Sequence, residues 1–176
     1  LAEGMIDFCC GDGTHTYDKV LRAHALSTAA GLPPMRALTA AWLAHLEYTR
    51  HGIEPLTRYV VLALETSRSD HHAARSRSSL VVAEALQFAG RLDLALPWYR
   101  RAREHANSES DEETISAIML NMAGIRCAQL RQVALTGTGH AEQGEYALLG
   151  AESTKNYDQL VGSIGQSTFV PLLQAQ

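Results

Sequence analysis

Aromatic residues supply only 6% of this chain and β-branched runs are short, a composition that speaks against a β-sandwich. Charged residues are also sparse, at 19% against a usual share of about 25%. Alanine fills the gap, which favours closely packed helices. No basic excess is present: the net charge is −4 and the pI near 6.1, which excludes the footprint of a nucleic-acid binder. Two local arginine groups, Arg68/Arg75/Arg77 and Arg100/Arg101/Arg103, read as solvated helix faces. Cysteine is too rare and too irregular for a disulfide framework. Cys9 and Cys10 are neighbours, a pairing of strained geometry, and Cys127 sits in an apolar helical stretch as a small buried hydrophobe. Three cysteines without a spacing pattern point to a reducing, cytoplasmic setting. No apolar run nears the roughly 18 residues of a bilayer span, and no signal peptide is visible, so no membrane partner is expected.

What is present is dense helix punctuation over 176 residues, a length suited to one domain, 1–176. The opening Leu1 and the final apolar run "FVPLLQAQ" read as the ends of a piece cut from a longer protein. A helix is expected from Tyr17 to Ala30, stopped by Gly31. Pro33 and Pro34 start a second, which closes at Gly52. Pro55 opens a third, to Ser67, and Asp70 caps a fourth that ends at Gly90. The fifth contains Pro97, which should bend it. Ser110 with Glu113 has the form of a capping box for a sixth. Residues 136–145 break the pattern, and further helices are expected from Tyr146 to Val161 and near Pro171. The fold class is all-α.

Gly52 and Gly90 lie 38 residues apart, each between two helices, and such a period marks stacked hairpins. In "SRSSLVVAEALQFAGRLDLALPWYRRAREHA", residues 76–106, Ala83, Gly90, Ala95, Tyr99 and Ala102 follow in order: small residue, turn glycine, then small, aromatic, small. The alanines let paired backbones approach and the tyrosine fills the groove to the next hairpin. This stretch resembles a tetratricopeptide repeat, which implies antiparallel helix hairpins stacked as a right-handed α-α superhelix. Around Gly52 the matching places hold His45, Thr57, Val61 and Leu64, which break the small-residue rule. Asn121 to Gly124, "NMAG", resembles the first helix of another repeat, without a following turn glycine.

Motifs for chemistry are missing. His45 and His51 fall on different sides of a helix, His71 and His72 diverge, and no metal or cofactor site is expected. Gly139 to Gly144 matches half of a phosphate loop, but Glu145 and Tyr146 stand where lysine and Ser/Thr are needed. None of the cysteines has an evident histidine and acid for covalent catalysis.

The resemblance implies a concave groove, lined by the first helix of each hairpin, that grips a protein or peptide. Carried onto this chain, the groove residues are Arg50, Arg77, Glu84, Gln87 and Asn121. Leu80 and Glu84 replace the pattern of the carboxylate-clamp subclass, so a chaperone C-terminus is not the expected ligand. The first expectation is a non-catalytic interaction scaffold. The alternative is a regulatory or sensor module of a larger bacterial signalling protein with a separate output domain; an enzyme is the third. The apolar segment "STFVPLLQ" is expected to pack on the preceding helix or to pair two copies as a homodimer.

Overall fold

The computed structural model describes residues 1–9, 15–136 and 141–162, with only the backbone of Cys9 and of residues 141–144. Among these are eight α-helices and no strand, so the chain is all-α. They are α1 (Ala2–Cys9), α2 (Thr16–Ala29), α3 (Pro33–Thr49), α4 (Ile53–Thr66), α5 (His72–Phe88), α6 (Leu92–Glu109), α7 (Glu112–Thr136) and α8 (Ala141–Val161). Two compact units form, Leu1–Asp111 and Glu112–Gln176. Cys10, Gly139, Pro171 and the apolar tail lie outside the described residues.

In the first unit, four helices end in the same way. One residue past the C-cap, the chain turns left-handed at Gly31, His51, Gly90 and Ser110, with φ of 63°, 61°, 72° and 53°. The next residue then reaches back to a carbonyl five places earlier: Leu32 to Ser27, Gly52 to Glu47, Arg91 to Leu86 and Asp111 to Ala106, all at 2.9–3.0 Å. These bonds satisfy carbonyls that a helix end would otherwise leave open. Glycine adopts this conformation freely, whereas His51 and Ser110 each accept a strain of roughly 1 kcal/mol.

Two expectations are corrected here. Gly52 does not close α3; it precedes α4 at φ −84°. It is required for another reason, since a Cβ there would stand 2.5 Å from Glu47 Oε2 and 3.1 Å from Pro55 Cγ. Ser110 does not begin a capping box, because its left-handed backbone terminates α6. Asp70 fails as a cap as well. Its carboxylate pairs with Arg68 at 2.7 Å, and His71 precedes α5 without any side-chain cap. The junction from α4 to α5 is held by Arg75, which donates to the Ser67 and Arg68 carbonyls at 2.9 and 2.7 Å.

The left-handed residues also reset the repeat. From His51 to Gly90 is 39 residues, one more than the glycine spacing suggests. In this register Ala44 matches Ala83, Leu56 matches Ala95, Val60 matches Tyr99 and Ala63 matches Ala102, and all eight are buried. The residues first aligned, Thr57 and Val61, face solvent. The small-residue rule therefore holds at Ala44 and Ala63, while Leu56 and Val60 differ in size from their counterparts. Hairpin α3/α4 and hairpin α5/α6 pack side by side through α3 and α5. Their shared core joins Ala44, Leu56, Val60 and Val81, and burial of each large side chain stabilises by roughly 1.5–3 kcal/mol. Helix α6 continues through Pro97 to Glu109.

Helix α1 carries no sequence signal recognised above, yet Leu1, Met5 and Phe8 form a stripe at spacings of four and three. They pack with Val20, Trp42, Leu43 and Leu46. Gly4 permits the approach, since a Cβ there would lie 3.0 Å from Val20 Cγ2.

The second unit is the pair α7 and α8. Helix α8 begins at Ala141, five residues before the expected Tyr146, and Gly144 is part of it. Ala147, Ala151, Thr154 and Asp158 recur at three- and four-residue steps and are all buried. Ser116 of α7 donates its hydroxyl to Asp158, and Arg126 lies against Gly150, where a Cβ would stand 2.7 Å from Nη1. Cys127 is buried as expected.

Candidate functional site

Helices α3 and α5 are the first helices of their hairpins, and their adjoining faces carry the most unusual side chains of the first unit. Trp42 and His45 are one turn apart on α3. Arg77 of α5 lays its guanidinium over the Trp42 ring, 4.2 Å from the centroid. Such stacking suits the planar, weakly hydrated arginine head. Arg77 is only 9% exposed, so the contact is nearly dry. Phe8 of α1 completes the cluster, edge-on to His45 at 5.2 Å and to Trp42 at 5.9 Å. His45 and Trp42 themselves meet at 5.8 Å.

His45 is not the surface histidine its spacing suggested. Its Nδ1 is buried and has no hydrogen-bond partner. Burial first, and the Arg77 charge second, push its pKa down to about 3, because neither tolerates an imidazolium there. In the 39-residue register, the counterpart of His45 on α5 is Glu84. Glu84 lies close to Tyr48 of α3, whose phenol is pushed up by burial and by that negative charge.

Farther along α3, Arg50 is exposed and stacks over the Tyr17 ring of α2 at 4.5 Å. The Tyr17 hydroxyl donates to Glu47 Oε1 at 2.6 Å; burial and this bond push its pKa upward. Beside it opens a cleft of about 600 Å³, bounded by Phe8 and by residues of α2 and the end of α3, Arg50 among them.

The five expected groove residues thus divide. Arg77 and Glu84 both face α3, and Arg50 faces α2. Gln87 accepts a hydrogen bond from Tyr99 of α6 at 2.5 Å, so it ties the two helices of one hairpin. Asn121 is half-buried in the second unit. Missing from the sequence-based set are Phe8, Trp42 and His45. The four- and three-residue stripe of α1 is the signal that could have revealed the first.

Other polar pairs offer little chemistry. His24 Nδ1 is 2.9 Å from Thr39 Oγ1, a hydroxyl–imidazole pair of catalytic length. Thr39 is fully buried, however, and directs its hydroxyl to the Met35 and Arg36 carbonyls at 2.9 and 3.0 Å. His72 and His105 meet through their Nδ1 atoms at 2.9 Å, a contact in which one ring must donate and the other accept. Burial and His72 push the His105 pKa down. Among the described residues, no group of three or more His, Cys, Asp or Glu could hold a metal ion. No helix among them is long and apolar enough to cross a membrane. No protein-family model matches this chain, and neither curated proteins nor solved structures provide a match.

Proposed function

We propose that this chain is a non-catalytic interaction scaffold whose hairpins stack as a tetratricopeptide-like right-handed superhelix and grip a protein or peptide ligand. The observation that carries the reading is the 39-residue register. It sets α3 beside α5 and gives each inner helix a distinct side chain at equivalent places, His45 and Glu84. Hairpins that repeat with matched backbone and unmatched inner side chains are suited to reading a ligand, because the frame stays constant while the chemistry varies. Trp42, Arg77 and Arg50 add residue types that dominate binding energy at protein interfaces. The buried, backbone-bound Thr39 hydroxyl gives the His24 pair no role in turnover.

The test is selection of a random-peptide library on the immobilised full chain, followed by titration of the selected peptides against an Arg50→Glu, Glu84→Ala variant. Binding should weaken about tenfold or more, equivalent to about 1.4 kcal/mol, with far-UV circular dichroism unchanged. No enrichment of any sequence, or equal affinity for the variant, rejects the scaffold reading.

A further inference from the structure

Helix α1 is the one element of the first unit that looks replaceable where it sits. It is eight residues long, well under the roughly 12–15 at which a helix holds together unaided in water. Its apolar residues Leu1, Met5 and Phe8 are only part-buried on their seat, and Ile6 is 61% exposed. One ion pair fastens it, Asp7 to Lys19 of α2 at 2.6 Å, with both partners still reached by water. Exposed pairs of this kind hold weakly.

The seat itself is built more strongly than its occupant. Beneath Phe8 lie Trp42, 4% exposed, and His45, with Arg77 stacked behind. Tryptophan and arginine side by side in a desolvated patch are the usual centre of a protein interface. His45 also presents a buried Nδ1 with no partner, and such an atom is costly to leave unmet. Helix α1 offers it only the edge of a phenyl ring. The cleft of about 600 Å³ between Phe8, Tyr17 and Arg50 leaves room beside α1 for a larger occupant. Lys19, Arg50 and Arg77 give this side of α2, α3 and α5 a positive bias, against which α1 sets Asp7 and Glu3.

We propose that α1 is a resident stand-in on the ligand surface, and that the Trp42–His45–Arg77 face accepts in its place an acidic amphipathic helix of a partner protein. That helix would set an aromatic residue where Phe8 rests, a carboxylate toward Lys19 and a polar group toward His45 Nδ1. The inference rests on the scaffold reading and adds what kind of ligand the surface takes and how access to it is controlled. Because α1 is tethered, it competes at an effective concentration of about millimolar, so an incoming helix must bring contacts that α1 lacks.

The experiment uses the full chain in a Trp98→Phe background, so that Trp42 alone reports by fluorescence. Two variants loosen α1: Phe8→Ala removes its anchor, and Asp7→Lys turns its ion pair into a repulsion. The probe is a fluorescein-labelled synthetic peptide of residues 1–8, followed by anisotropy. Both variants should show red-shifted Trp42 emission and bind the peptide about tenfold or more tighter than the unmodified chain, since the seat is vacated more often. A peptide with alanine in place of its phenylalanine should not bind. Equal binding by all three chains, or Trp42 emission unchanged in both variants, overturns the proposal. So does a dimer in sedimentation that exchanges α1 between copies, because the occupant is then a second copy of this chain. Should Phe8→Ala lose helicity, Asp7→Lys decides alone, as it alters only a partly exposed pair. Library peptides that depend on Arg50 and Glu84 yet never compete with the residue 1–8 peptide would sink this inference and leave the scaffold reading standing.

Discussion

Hairpin α3/α4 turns on His51 and hairpin α5/α6 on Gly90, yet both close with the same hydrogen bonds to the preceding helix. In the first hairpin glycine stands one place later, at Gly52, where it serves the Glu47 side chain and not the bend. In the second, that following place is held by Arg91, and glycine makes the bend itself. What repeats is a backbone conformation, and the residue that supplies it varies. The inner faces differ in the same spirit. Where α3 buries an imidazole, α5 holds a carboxylate.

The largest effect expected from this equivalence is in the packing between paired helices. Ala44 and Ala83 occupy matched positions with no exposed surface. Leucine at either one should overpack its hairpin and destabilise by about 2–3 kcal/mol in urea unfolding. A near-neutral result at one site and a large one at the other would break the 39-residue register.

Next in size is a difference between the hairpins in acid. His45 has a pKa of about 3 when folded and 6.5 when free, so between those values the unfolded chain binds a proton that the folded chain refuses. Stability from this group is complete above the free value and is lost as pH falls through the window. Between pH 7.5 and 5 the loss should be about 2 kcal/mol. His24 and His105, whose pKa values are also lowered, add in the same direction. Urea midpoints at the two pH values should therefore converge for His45→Leu relative to the unmodified chain. An unchanged difference would mean that His45 is not the buried, neutral group described.

The smallest effects belong to the turns. His51→Gly should stabilise by up to about 1 kcal/mol, by removing left-handed strain, and Gly90→Ala should destabilise by about as much. Thermal melts of the two variants shifting in the same direction would separate the turns that the backbone makes alike.

Most of the helices were legible because prolines and glycines sit at their ends: Pro33 begins α3, and Gly31 and Gly90 end α2 and α5. Legibility failed where a residue did a job unusual for its type. His51 and Ser110 adopt a conformation normally left to glycine, so neither reads as a helix end, and the register slipped by one at Gly52. Asp70 looks like a cap but is taken by Arg68 two residues away. The site was half visible. Arg77 and Glu84 follow from their place on the first helix of a hairpin. The ring cluster does not, because Phe8 is 34 residues from Trp42 and only the fold brings them together.

Matched exits at His51 and Gly90 have a consequence for how such a chain can grow. Cut at these points, the polypeptide leaves each unit along the same backbone path. Gain or loss of 39 codons between them would rejoin the chain without a new kind of bend. Length is then a property that evolution or an engineer can set in whole units.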